Sequence, residues 1–471
     1  MREKKINPFV KASVVYFIAT VIGQGMTFLG IIVFTRLMSQ ADYGNYSTYY
    51  AYVSIFTVLI GANLFYALNN AYIDKKDEIK EFRKSVLILS TIIMVIMLLI
   101  ALIVGCAITH QFSSFTVIMG ALHSYGFFLI NYRMYSANME NDYKTKKWLL
   151  ALPYALQFLV ALIFVLVFPD MTYEARIIGS VLGVGVIAAV AYIEIMKGEG
   201  KLIVLDYWKY ALGIALPTII MSISYMLMQQ CDKVMITNLC GAEETAVYSV
   251  IYYLGYALMA VDQAVAPVRQ AWIFRKLDKK DTSETYILQK WYLVIIAILA
   301  SVLIFAGPEI VRIIAPRDYW KYEYIVPFVL SACMMVLYRF YTEILLFYKK
   351  NLWLSASVLG GAIINIVLNV LLIPQYGAVV ACYTTIVAYG VIFIILEIIA
   401  DLQMKKIYDN RFFVSFIVYM IIIAAIYSLL AEYIIGRYVI LSILFVMCVI
   451  YMLRHEREWK RFLNSREAQN E

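Results

Sequence analysis

Residues 35–50 read TRLMSQADYGNYSTYY and residues 237–252 read TNLCGAEETAVYSVIY. Thr35, Leu37, Tyr46, Ser47 and Tyr50 of the first return as Thr237, Leu239, Tyr248, Ser249 and Tyr252, each 202 positions on. The correspondence continues outward. Ile73-Asp74-Lys75-Lys76-Asp77 returns as Leu277-Asp278-Lys279-Lys280-Asp281, and Tyr132-Arg133-Met134-Tyr135 as Tyr338-Arg339-Phe340-Tyr341. Val165, Leu166 and Pro169 match Val370, Leu371 and Pro374, and Glu194 matches Glu397. The order never breaks and the offset drifts only between 202 and 206, so the chain reads as a duplication.

What is duplicated is a membrane bundle. Of 471 residues 63% are hydrophobic and 15% charged, with a mean hydropathy of +0.78, against about half and about a quarter in soluble domains. That supply suffices for at most roughly fourteen helices of ~20 residues. The apolar stretches are continuous runs such as Val86–Ala107, not the period-two alternation of an outer-membrane barrel. A single-span receptor with a large soluble domain is excluded on the same grounds. Division at the charged clusters predicts fourteen spans, beginning near residues 12, 44, 86, 114, 148, 175, 213, 246, 291, 322, 352, 377, 412 and 437. The first apolar run, Ala12–Thr35, has no small-residue cleavage site and reads as the first span, not a signal peptide.

The net charge of +8 comes from 40 Lys and Arg residues, and their placement decides its meaning. With the N-terminus inside, 32 cations fall in inner segments and six at outer ends (Arg36, Arg176, Arg312, Arg317, Lys321 and Arg437), while Lys233 and Arg339 lie within spans. Lys and Arg are retained on the cytoplasmic side, so both termini are expected there. Cations scattered over many short loops do not make a nucleic-acid groove. The repeat unit holds six spans, an even number, so the two copies share one orientation. Residues 1–200 and 201–403 are therefore expected to be two parallel six-helix lobes, around an axis normal to the membrane with a substrate site between them. Spans 13 and 14 (404–453) lie outside the repeat, and 454–471 form a cytoplasmic tail in which Trp459 and Phe462 among cations suit an anionic lipid surface.

The chain carries no HExxH, phosphate loop, Asp-x-Asp pair or nucleophile elbow, and its six cysteines have no CxxC spacing. No cofactor or catalytic role is read from it. Charges inside spans are more informative, because an ionised group at membrane depth costs a few kcal/mol and faces a partner or a wet cavity. Asp232 and Lys233 in span 7 are either a compensating pair or part of a site. Asp262 and Arg269 in span 8 share one helix face two turns apart, with Pro267 between them. Gln24, Asn63 and Gln229 either line the same space or make packing hydrogen bonds. Arg339 is expected to pair with Glu343 one turn on, and Arg133 is its repeat counterpart. His123 reads as a packing residue rather than a proton relay, Asn365 and Asn369 as a polar stripe, and Gly179-x-x-x-Gly183 as a close helix contact.

Several of these stretches are shared with a known family. Thr35-Arg36-Leu37 through Asp42-Tyr43-Gly44-x-Tyr46, Asp232-Lys233-Val234-Met235-Ile236, Ala246-Val247-Tyr248-Ser249, Gly307-Pro308-Glu309-Ile310-Val311, Arg317-Asp318-Tyr319 and Asn365 through Pro374-x-Tyr376-Gly377-Ala378 resemble the polysaccharide transporters. These are the Wzx-type O-antigen flippases of the multidrug/oligosaccharidyl-lipid/polysaccharide (MOP) exporter superfamily. The resemblance covers about residues 10–400. It implies a flippase in the bacterial cytoplasmic membrane that moves an undecaprenyl-diphosphate-linked oligosaccharide to the outer leaflet, with spans 1, 2, 7 and 8 nearest the cavity. Candidate partners are the lipid-linked substrate, membrane lipids, a coupling proton or sodium ion and a polysaccharide polymerase. Arg36, Lys233 and Arg269 are the candidate diphosphate ladder, held by Asp232 and Asp262, which are also candidates for the coupling ion. The alternatives are a lipid II flippase, a drug or cation antiporter of the same superfamily, or an integral-membrane glycan polymerase.

Overall fold

The computed structural model describes residues 8–108, 113–197, 200–280, 284–403, 407–456 and 458. The described chain is helical, without strands. In order the helices are α1 (Pro8–Leu37), α2 (Gln40–Gly61), α3 (Phe65–Asp74), α4 (Ile79–Leu102), α5 (Ser114–Met139), α6 (Tyr143–Val167), α7 (Thr172–Met196), α8 (Leu205–Cys240), α9 (Ala242–Asp278) and α10 (Thr285–Phe305). They continue with α11 (Gly307–Ile314), α12 (Ile325–Phe347), α13 (Asn351–Tyr376), α14 (Val380–Gln403), α15 (Asn410–Leu430) and α16 (Ile434–Arg454). Among the described residues thirteen helical segments are long and apolar enough to span a membrane, α2 and α3 together making one, and Ile22–Leu37 of α1 is a shorter apolar helix. Thirteen of the fourteen expected spans thus have their helix in sequence order, and the first is represented by the shorter apolar helix Ile22–Leu37. The lipid-surface reading of the tail falls almost wholly outside the described residues, as does residue 281 of the repeated acidic-basic motif.

Local chemistry sets the ends of these helices. The hydroxyls of Ser39 and Ser113 accept from the amides of Asp42 and Thr116, capping α2 and α5. Asp142 caps α6 through Thr145, whose hydrogen bond, with Arg133 nearby, holds the Asp142 carboxyl below its ordinary value. Gly241, at φ +99°, makes the turn from α8 to α9 that a side chain would strain.

Packing divides the chain into two compact units, Met1–Ala246 and Val247–Glu471. In the first, α5 packs on α7, α6 on α7 and α4 on α5; in the second, α12 packs on α14, α13 on α14 and α10 on α12. These are the same pairs once the repeat is applied. The unit boundary lies beyond the 200/201 boundary of the repeat, because α8 binds the first unit closely. Trp208 Nε1 donates to Ser85 O (2.9 Å), and the hydroxyls of Tyr207 and Tyr210 donate to Glu78 (2.7 Å) and Asp74 (2.6 Å).

The equivalent helix pairs are joined by different chemistry. In α6–α7 the contact is backbone on backbone: a Cβ on Gly179 would lie 2.5 Å from Ala161 Cα, and one on Gly183 would lie 2.5 Å from Leu156 O. Small residues allow this approach where lipid offers no hydrophobic drive. In α13–α14 the contact is a wholly buried polar core. Asn369 donates to Asn365 Oδ1 (3.3 Å), Asn365 donates to Thr385 Oγ1 (3.1 Å), and the Thr384 hydroxyl donates to Asn369 Oδ1. The Asn365–Asn369 stripe therefore joins two helices. His123 likewise packs: its Nδ1 meets the Tyr49 hydroxyl at 3.2 Å and its ring stacks on Phe127 at 5.0 Å.

Candidate functional site

The densest group of buried charge lies in the second unit. Asp262 on α9 is wholly buried and Arg269, two turns on, is 2% exposed. Asp262 Oδ1 accepts from Arg269 Nη1 at 3.1 Å and from the Tyr292 hydroxyl of α10 at 2.5 Å, and its Oδ2 accepts from Arg339 Nη1 of α12 at 2.5 Å. Arg269 Nε donates to Glu343 Oε1 of α12 at 2.8 Å. The Arg269 guanidinium also lies over the rings of Tyr292 (4.8 Å) and Phe340 (4.9 Å). Beside this group, burial pushes the Tyr408 phenol, just before α15, above its ordinary value, so it stays neutral.

Two guanidinium groups thus meet two carboxylates, a neutral sum that α9, α10 and α12 share across three helices. The charges compensate one another, although Arg269 Nη2 and Glu343 Oε2 are buried without a hydrogen-bond partner. Arg339 and Glu343, one turn apart on α12, each also make a cross-helix ion pair, to Asp262 and to Arg269 of α9. In the first unit rings stand at the position that matches Arg269. An offset of 204 sets Arg269 over Phe65, and there Phe65, Tyr66 and Tyr135 pack ring against ring, with centroids 4.8 Å apart for Phe65–Tyr135 and 5.6 Å for Tyr66–Tyr135. Arg133, the counterpart of Arg339, pairs with Glu194 (2.9 Å), Glu140 (3.4 Å) and Asp142 (3.5 Å).

The other candidates belong to the first unit and are spread along it. Gln24 and Arg36 are exposed on α1, where Arg36 Nη1 donates to Ile32 O at 2.6 Å. Asn63 is buried in the break between α2 and α3, where Ala62 (φ 43°) and Asn63 (φ 52°) are both left-handed. Its Nδ2 donates to Thr218 Oγ1 (3.2 Å) and Ser222 Oγ (2.8 Å) of α8. Gln229 is half-buried on α8, roughly 10 Å along the helix from Ser222. Asp232 and Lys233 are both buried near its end, at 3% and 6% exposure. The structure therefore joins Asp262 to Arg269 directly, and Asn63 to α8.

Two participants were not legible in the sequence. Tyr292 has no spacing that ties it to Asp262. Arg176, counted as an outer-end cation, is caged on α7 against Tyr46 (3.7 Å), Phe34 (4.2 Å) and Tyr43 (4.9 Å), with Nη1 on Met38 Sδ at 3.5 Å. Only the aromatic residues around positions 34–46 could have hinted at this cation–π cage.

A cavity of about 830 Å³ lies among α10, α15 and α16. Val294, Ile298, Phe416 and Phe445 are among its mainly apolar walls, and Lys290 and Tyr451 line it where α10 begins and α16 ends. Lys290 Nζ also pairs with Glu458 Oε2 at 2.7 Å.

The sequence matches the family model described as polysaccharide biosynthesis protein over residues 9–274, more than half of the chain. The chain belongs to the polysaccharide biosynthesis protein family. Its fold is shared with the lipid II flippase MurJ in an inward closed conformation, with a TM-score of 0.70 at 16% identity over 95% of this chain and 99% of that one. An outward-facing multidrug resistance MATE family transporter of the MOP superfamily matches with a TM-score of 0.55 at 14% identity, over 83% of this chain and 95% of that one. A MOP superfamily transporter from Pyrococcus furiosus matches with 0.53 at 16% identity, over 84% and 97%. Comparison with curated protein sequences finds no matching relative. This family member has the many-helix membrane fold of those structures, a six-helix repeat present twice in sequence with α15 and α16 after it.

Proposed function

We propose that the chain flips an undecaprenyl-diphosphate-linked oligosaccharide across the bacterial cytoplasmic membrane for surface polysaccharide assembly, by alternating access. The observation that carries this reading is the match to the polysaccharide biosynthesis family over residues 9–274. The apolar cavity among α10, α15 and α16 supports it. Such walls suit a hydrocarbon chain, and their free energy of contact scales with apolar area at ~25 cal/mol per Å².

Charge supports the same cargo. Arg36 is exposed on α1, and Lys233 is buried on α8; both are proposed contacts of the diphosphate, which charge-assisted hydrogen bonds recognise. Gln24, Asn63, Gln229 and Asp232 are proposed to face the sugar path or the coupling ion, a proton or sodium. Arg269 already meets two carboxylates, so the Asp262–Arg269 pair is proposed to hold α9 against α12 and to reach the diphosphate only if the network rearranges. The cation count supports cytoplasmic termini, and a polymerase acting on the delivered product is proposed as a partner.

A lipid II flippase is the second reading, favoured by the TM-score of 0.70 with MurJ. Deleting the gene and restoring it separates the two. Loss of surface polysaccharide with intact growth, reversed by the gene, supports the proposal. Cell lysis with normal surface polysaccharide supports the second reading.

A further inference from the structure

Arg176 grips the end of α1 from one side. Its guanidinium lies over the rings of Phe34 on α1 (4.2 Å) and of Tyr43 (4.9 Å) and Tyr46 (3.7 Å) on α2, and its Nη1 donates to Met38 Sδ at 3.5 Å. The arginine is 8% exposed, and Phe34, Met38, Tyr43 and Tyr46 are all buried around it. A planar guanidinium can lie against several ring faces at once, which a lysine ammonium does not match.

The grip has a direction. The amide of Met38 donates to Phe34 O at 3.0 Å, so the helical path of α1 runs through both residues. Arg36 lies midway between them and projects about 200° around the helix from each. The face of α1 that carries Arg36 is thus the one turned away from the clamp, and there Arg36 is exposed.

The second copy of the repeat drops the clamp and the cation together. At the offset of 202, Arg36 becomes Asn238, Phe34 becomes Ile236, Met38 becomes Cys240 and Tyr43 becomes Thr245. At offsets of 203 to 205, Val379, Val380 and Ala381 stand where Arg176 would be. Yet Thr35, Leu37, Tyr46, Ser47 and Tyr50 all return. The repeated turn therefore forms without a caged arginine, and the cage accompanies Arg36.

We propose that Arg176 is a positioning residue for Arg36: by clamping Phe34 and Met38 it fixes the rotation of the end of α1, and with it the approach of Arg36 to a diphosphate. This rests on the reading of Arg36 as a diphosphate contact. A charge-assisted contact depends on the alignment of the guanidinium edge, and a displacement of ~1 Å at such a group is costly.

Binding of undecaprenyl diphosphate to the purified full-length protein tests the assignment, with Arg36→Ala, Arg176→Lys and the double variant compared at equal folded content. Each single change should raise Kd about tenfold, and the double should raise it no further, because both act through one contact. Phe34→Leu loosens the same clamp from the α1 side. It should also weaken binding, and only where Arg36 is present, so it carries the test if Arg176→Lys fails to fold. A purely structural role would lower the thermal unfolding midpoint and leave the Kd of the folded variant unchanged, which would overturn the proposal. Losses that multiply to about a hundredfold in the double variant would overturn it too. An unchanged Kd for Arg36→Ala would remove the contact that Arg176 is said to serve, while the flippase reading would still stand or fall on deleting the gene.

Discussion

Arg339 on α12 donates through Nη1 to Oδ2 of Asp262 on α9 at 2.5 Å, so the deepest acid of one helix is held by a cation of another. The same acid binds Arg269 and Tyr292, and Arg269 binds Glu343. Removing one partner leaves a buried charge without compensation, which costs about 3–5 kcal/mol. Arg269→Ala should therefore lower the thermal unfolding midpoint strongly in detergent. The paired change Arg269→Met/Glu343→Leu should lower it less than Arg269→Ala alone, because it removes charge from both sides. An equal or larger loss in the double variant would refute the coupling.

Gly179→Ala and Gly183→Ala should each destabilise by about 1–3 kcal/mol through overpacking, since either methyl would meet backbone of α6 at 2.5 Å. Gly185→Ala is the internal control on the same helix, as nothing lies within 4 Å of its added Cβ. That change should leave stability unaltered or raise it slightly, because alanine suits a helix better than glycine. Denaturation of the three variants side by side gives the comparison, and equal losses would remove the close-contact account.

Asn63 has two roles that substitution can separate. Its amide joins α8, and its backbone sits at φ 52°. Asn63→Gly keeps the backbone and loses the hydrogen bonds, whereas Asn63→Val loses both, a β-branched residue being strained there. Unfolding midpoints should fall in the order wild type, Gly, Val. A valine variant as stable as the glycine one would mean that the break carries no constraint.

The order and number of spans were legible because hydrophobic runs and cation placement report directly on lipid and charge. Thr35 and Thr237 likewise exposed the duplication through identity alone. The Asp262–Arg269 contact was legible too, since two turns bring residues to one helix face. The rest depended on tertiary geometry. Spacing tied Glu343 to Arg339 but gave no sign of the partners that α9 offers to each. The break at 62–63 carried only the weak signal of Gly61-Ala62-Asn63, and Arg176 gave no sign that its charge would be enclosed by rings rather than exposed at a membrane edge.

The orientation inferred from the cations predicts that reporter fusions after residues 76, 280 and 465 behave alike, all cytoplasmic. An extracellular signal at 280 with a cytoplasmic one at 76 would break the parallel repeat, because an odd number of spans would then separate the two sites.

Translocation itself is tested most directly with the purified chain in liposomes. A lipid-diphosphate-linked oligosaccharide confined to the inner leaflet should become accessible to an external glycosidase faster than in protein-free vesicles, and Lys233→Ala should slow that exposure at equal protein content. Exposure at the protein-free rate, with correctly folded transporter present, would contradict the flippase account.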